Sequence, residues 1–213
     1  MKSTVKGKRM LPQTVILILM IILLVLSLLP IWIMLVKSVK SIEQGIYNAF
    51  GLTFPFDWNN YSLAWLYVSP YILNSFIISV FTTVATVALC SFMAYGFTRY
   101  RFPGQNFLFM CVLALMMIPS VLTLLPQYEL ANQMNLINNP AGVVLPLTAA
   151  GIPLGVMLLR TFYNGLPKDL FEAAELDGAG SLYCFLQIAL PLSLPITATL
   201  ALTSWMTAWN DLI

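Results

Sequence analysis

Residues 164–195 read NGLPKDLFEAAELDGAGSLYCFLQIALPLSLP, the one charged, helix-forming insert between long apolar runs. Pro167 sits where a first helical turn tolerates it, and Asp169 complements the positive end of that turn. Leu170–Asp177 supplies good helix formers until Gly178 interrupts them. The result is a short exposed helix. Leu170, Ala173, Ala174 and Asp177 share one face by i, i+3, i+4, i+7 spacing, and the small alanines allow another surface to approach closely. Phe171, Glu175 and Gly178 line the adjacent face. Gly178 and Gly180 permit a sharp turn, and Ser181 is expected to cap a second helix running through Phe185 and Ile188 to Pro191. The predicted shape is an L.

Composition sets the class of molecule around that insert. With 60% apolar and 8% charged residues, and a mean hydropathy of +0.87, the chain has too little polar matter for a water-facing surface. It reads as an all-α, polytopic membrane protein. Ten basic against eight acidic residues give little net charge, so no nucleic-acid partner is expected. There is no histidine, and Cys90, Cys111 and Cys184 support neither a disulfide framework nor a metal cluster.

Five spans follow from the apolar runs. Residues 1–11, with Lys2, Lys6, Lys8 and Arg9, form a basic tail, and 12–36 is too long for a signal-peptide core and reads as the first span. Residues 37–70 form an outer loop whose aromatics Trp58, Tyr61, Trp65 and Tyr67 suit either an interfacial anchor or a sugar-stacking platform. Further spans cover 71–97, 105–125, 140–163 and 191–213, with a cytoplasmic loop at 164–190. Eight of the bases then lie inside, and only Lys37 and Lys40 outside, as the positive-inside rule requires. The N-terminus is thereby expected in the cytoplasm, and the charged insert on the cytoplasmic face.

The sequence EAAELDGAG followed by FLQIALPLSLP resembles the EAA loop of integral-membrane permease subunits of ABC import systems. YRFPG at 100–104, MIPSVLTLLPQY at 117–128, LLRTFYNGLPKDLFEAAELDGAG and WMTAWNDL extend the likeness to the carbohydrate branch, the second permease of a maltose-type transporter. The resemblance implies a type I importer permease, usually of six spans, so the sequence is expected to stop before the last helix. It implies a coupling helix that docks on a cytoplasmic ATP-binding subunit, with Glu172, Ala173, Ala174, Asp177, Gly178 and Gly180 at the contact. Glu172 matches the family's loop glutamate. A second homologous permease and an extracytoplasmic solute-binding protein are the other implied partners, beside the lipid bilayer of the cytoplasmic membrane. Carbohydrate is the implied cargo.

No nucleotide-binding or hydrolytic motif is present, so no cofactor is expected on this chain, and ATP and Mg belong on the partner ATPase. Prolines and glycines within spans mark either kinks that line a cavity or close helix packing; Pro119, Pro126, Gly142, Pro146, Gly151, Pro153 and Gly155 are the positions concerned. Ser75, Ser79, Thr82, Thr83 and Thr86 suit a pathway or interhelical hydrogen bonds. An aspartate at the bilayer centre costs roughly 2.5–3.5 kcal/mol, so Asp211 should face the bundle, a cavity or the outer interface. Asn74, Pro119, Pro153, Asn210 and Asp211 are the candidate pathway residues. Two other readings are an ion-coupled transporter, disfavoured because the spans hold no ionisable residue except Arg160 and Asp211 near their ends, and a membrane scaffold.

Overall fold

The computed structural model describes residues 5–211, with side chains from residue 13 onward, and divides after Pro70 into two units. Lys2, residues 212–213 and the side chains of Lys6, Lys8 and Arg9 lie outside the described residues. The described backbone is helical, without strands.

In the first unit, α1 spans Val5–Ser38. It takes in most of the segment expected as a tail, because Lys and Arg are good helix formers and continue the apolar run. The most apolar window of Gln13–Ser38 has a mean hydropathy of 3.1, and none of it is buried. The outer loop contains α2, Ile42–Tyr47. Its start is fixed by a reciprocal cap: Gln44 N donates to Ser41 Oγ at 3.3 Å, and Ser41 N donates to Gln44 Oε1 at 3.1 Å. The loop's ends are tied together, since Asn60 Nδ2 donates to the carbonyls of Ser38 (3.1 Å) and Lys40 (2.8 Å). The buried Lys40 ammonium donates to the Asn48 carbonyl.

The second long helix, α3, covers Asn59–Arg99 and therefore starts well before the expected residue 71. Pro70 lies inside this helix. The helix runs through it, as helices in lipid do when surrounding groups satisfy the carbonyl that proline frees.

In the second unit, α3 buries Ser79, Thr82, Thr86, Cys90 and Ala94 in one stripe, while Phe76, Phe81, Val84 and Phe92 are more than half exposed. Small and hydroxylated residues face inward and large apolar ones outward, the inverse of a soluble helix, as a hydrocarbon solvent dictates. α6, Ala141–Asn164, presents Gly151 and Gly155 to this stripe. A Cβ on Gly155 would stand 2.5 Å from Cys90 Sγ and 3.1 Å from Leu200 Cδ1; one on Gly151 would stand 3.0 Å from Thr86 Cγ2. These two glycines serve close packing. Pro146 and Pro153 lie inside α6 without ending it.

The expected third span breaks. α4, Gln105–Ala114, passes into a 3₁₀ turn at Leu115–Met117, and α5, Ser120–Gln133, departs at 100°. Pro119 forces its predecessor out of the helical region, and Ile118 has ψ 115°. At about 1.5 Å rise per residue, neither half alone reaches across a ~30 Å hydrocarbon core. The last expected span also differs. Its helix begins inside the expected loop: α8, Ser181–Cys184, runs through a π-helical turn at Phe185–Ala189 into α9, Leu190–Leu192. After Ser193 comes α10, Leu194–Trp209, the pair being bent by 77°. Pro191 and Pro195 remove two backbone donors around that break. α10 ends at Trp209 rather than at the last residue.

Candidate functional site: a surface helix and a hydroxyl-lined groove

The charged insert forms α7, Lys168–Leu176, with Pro167 at the N-cap and Asp169 in the first turn. Its C-terminus is closed by backbone alone. Gly178 takes φ +83°, Gly178 N donates to Glu175 O at 3.0 Å, and Ala179 N donates to Ala174 O at 2.9 Å. This is the two-bond glycine cap, with the left-handed residue where a side chain is penalised. Gly180 has φ −75°, so its conformation does not require glycine. It also takes the N-cap position of α8, and no side chain caps that helix; Ser181 is its first residue rather than its cap.

One face of α7 is turned to the protein. Phe171 is buried within the cluster containing Tyr95, Tyr163, Leu159 and Phe185, and Ala174 is half-buried against it. Ala174 therefore leaves the exposed face on which its spacing with Leu170 and Ala173 had placed it. Glu172, Ala173, Leu176 and Asp177 are exposed, Leu176 to 89%. Arg99, at the end of α3, donates from Nη2 to Glu175 Oε1 at 2.8 Å, and its Cζ lies 4.5 Å from the centre of the Phe171 ring.

Magnitudes rank these ties. Burial of a phenylalanine contributes about 1.5–3 kcal/mol. A half-exposed ion pair contributes about 0–1 kcal/mol, and a cation over a ring about 0.5–1 kcal/mol. Phe171 thus anchors the helix, and Arg99 adds a weaker tie from the end of α3. Neither role was read from the sequence. The available signal was Arg99 at the basic end of a span and Phe171 next to the loop glutamate.

The candidate pathway residues are not brought together. Asn74 is exposed on α3, Pro119 is exposed at the α4–α5 break, and Pro153 is buried inside α6. Asn210 is the C-cap residue of α10, its Nδ2 donating to the Met206 carbonyl at 2.7 Å, and Asp211 is half-buried just beyond. Thr82 and Thr86 of α3 instead face Thr203, Ser204 and Thr207 of α10 across a groove of about 160 Å³ floored by Gly151. Thr203 and Thr207 donate back to carbonyls of their own helix at 3.0 Å. The Thr82 and Thr86 hydroxyls are buried without a partner among the described residues. These two hydroxyls are sealed in the helix packing, at about 1–3 kcal/mol for each left unsatisfied, whereas Thr203 and Thr207 are the exposed threonines of the groove. Thr82/Thr86 and Thr203/Thr207 each repeat at i, i+4, a signal visible in the sequence but also common in ordinary packing. Among the described residues no group of three His, Cys, Asp or Glu side chains is placed to hold a metal.

An inside-out helical packing that carries a charged surface helix between two long apolar elements defines a polytopic helical membrane protein. The chain belongs to the family described as binding-protein-dependent transport system inner membrane component, which matches residues 86–213. It is 43% identical over 141 residues to the osmoprotective compounds uptake permease protein GgtD of Synechocystis sp., covering 66% of this chain and 47% of that one. It is 30% identical over 185 residues to the diacetylchitobiose uptake system permease protein NgcG of Streptomyces coelicolor, covering 86% and 61%. To the arabinooligosaccharides transport system permease protein AraQ of Bacillus subtilis it is 29% identical over 196 residues, covering 86% and 67%. The chain thus spans about half to two thirds of the length of these curated relatives. The fold also matches a chain in the crystal structure of a bacterial ABC transporter involved in the import of the acidic polysaccharide alginate. That match has a TM-score of 0.83 at 22% identity, over 99% of this chain and 75% of that one.

Proposed function

We propose that this chain is a membrane-spanning subunit of an ABC importer for a sugar or oligosaccharide, driven by ATP hydrolysis on a separate subunit. The observation that carries the reading is α7: one face is anchored by Phe171, and the opposite face leaves Glu172, Ala173, Leu176 and Asp177 free for a second protein. Family membership supports, as the partner of that face, a cytoplasmic ATP-binding subunit that would hold ATP and Mg. A second permease and an extracytoplasmic solute-binding protein complete the assembly. The N-terminus and α7 are assigned to the cytoplasmic side, consistent with Arg99, Arg101, Arg160 and Lys168 at the loop ends of the second unit.

The hydroxyl groove supports a polar cargo, since Thr203 and Thr207 are exposed there and their hydroxyl oxygens can accept hydrogen bonds from a solute's hydroxyl groups without any charge being buried. Carbohydrate is favoured because relatives bear the names of diacetylchitobiose and arabinooligosaccharide systems.

The test is reconstitution of the chain with a partner permease, an ATPase and a binding protein, using diacetylchitobiose and arabinooligosaccharides as probes. Glu172→Ala and Gly178→Pro should leave membrane insertion intact while separating ATP hydrolysis from uptake. Gly178→Pro removes a cap donor and cannot adopt φ +83°. Uptake at the parent rate in both variants would refute the docking role.

A further inference from the structure

The chain joins α7 directly to α6 and α8, yet side chains tie both arms of the L to α3. On one side of the Gly178 corner, the Arg99 guanidinium lies over Phe171 and reaches Glu175 at 2.8 Å. On the other, the Tyr95 hydroxyl, one helical turn before Arg99, donates to the Ser181 carbonyl at 3.4 Å, and its ring lies 5.1 Å from that of Phe185. A planar guanidinium can cover a ring and donate from its edge at the same time, which a lysine ammonium cannot do.

The three helices differ as paths for a displacement. The route into α10 crosses a π-helical turn and a 77° break. α6 carries Pro146 and Pro153, each lacking a backbone donor. From Tyr71 to Arg99, α3 is unbroken and free of proline, and it carries Thr82 and Thr86 of the groove on the same rod.

We infer that Arg99 is a positioning residue that locks α7 to the end of α3, so that α3 delivers a displacement of α7 to the hydroxyl-lined groove. The inference rests on the docking reading above for the source of that displacement. The lock itself is local. Phe171 supplies the pivot, and Arg99 with Glu175 removes rotation about it.

The experiment measures the distance between spin labels on α3 and α7 in the assembled importer in liposomes, with and without ATP and orthovanadate. Gly96→Cys and Asp169→Cys carry the labels: a Cβ at Gly96 meets nothing within 4 Å, and Asp169 is exposed. The exposed Cys111 is replaced by serine, while Cys90 and Cys184 are buried. With Arg99 present, one narrow distance distribution should persist in both states. Arg99→Ala and Arg99→Lys should broaden it, and Arg99→Ala should lower solute-stimulated ATP hydrolysis about tenfold. Arg99→Lys, which keeps the charge and loses the planar fork, should broaden it less than Arg99→Ala, a grading that a general folding defect does not give.

An Arg99→Ala distribution as narrow as the parent's, with the ATPase retained, would overturn the lock and leave docking standing. A parent distance that shifts with nucleotide would also overturn it. Broadening in Arg99→Ala together with no ATPase bound to the parent would keep the lock and overturn docking.

Discussion

Single residues in this chain are constrained by very local physics, and the glycines illustrate the range. Gly178 needs its left-handed backbone, so Gly178→Ala should destabilise the loop by about 1–2 kcal/mol. Gly180 has an ordinary φ of −75° and open space where an added methyl would stand, so Gly180→Ala should be close to neutral. Chemical unfolding in detergent separates the two, and equal effects would contradict the cap geometry. Gly155→Ala is a third case, because its methyl would meet Cys90 Sγ at 2.5 Å. Overpacking there should cost about 1–3 kcal/mol, and Cys90→Ala in the same chain should recover part of it. Absence of that coupling would mean that α3 and α6 do not meet at these residues.

At the scale of elements, α7 is a short helix whose position depends on one buried ring. A helix this short is marginal by itself, so its order comes from tertiary contact. Phe171→Ala should remove about 3–5 kcal/mol of local packing and speed amide exchange across residues 168–177, while exchange in the core of α6 stays slow. Unchanged exchange in the loop would show that something other than Phe171 holds it.

The same scale shows how far the sequence could be read. The helix, its glycine terminator and its charged surface were legible because capping and propensity act within a few residues. The break at Ile118–Pro119 was half legible: Pro119 marks a kink, but residue preference alone does not fix its angle of 100°. The start of α3 at Asn59 was hidden, since Pro70 ends a helix in water and is tolerated within one in lipid.

For the molecule as a whole, orientation is the decisive quantity. Tyr47 and Leu176 are each 89% exposed in their separate units. In intact cells, Tyr47→Cys should react with an impermeant maleimide, and Leu176→Cys only after the membrane is opened. Reaction of both from outside would remove α7 from any cytoplasmic ATPase. The assembled complex should also take up its probe sugar on ATP alone, with unchanged rate when a protonophore collapses the proton gradient. Dependence on that gradient would favour ion coupling instead.

By itself, the sequence determined that this chain dissolves in a bilayer, that its long apolar runs are helices, and that a charged helix with a glycine cap projects between two of them. Those properties follow from hydropathy, from residue spacing and from backbone chemistry over short distances. Tertiary structure alone decided which face of that helix is free, since Glu175 meets Arg99 across 76 positions of chain. It also decided that threonines from α3 and α10 share one groove, because a hydroxyl's role depends on what stands opposite it rather than on its neighbours in sequence.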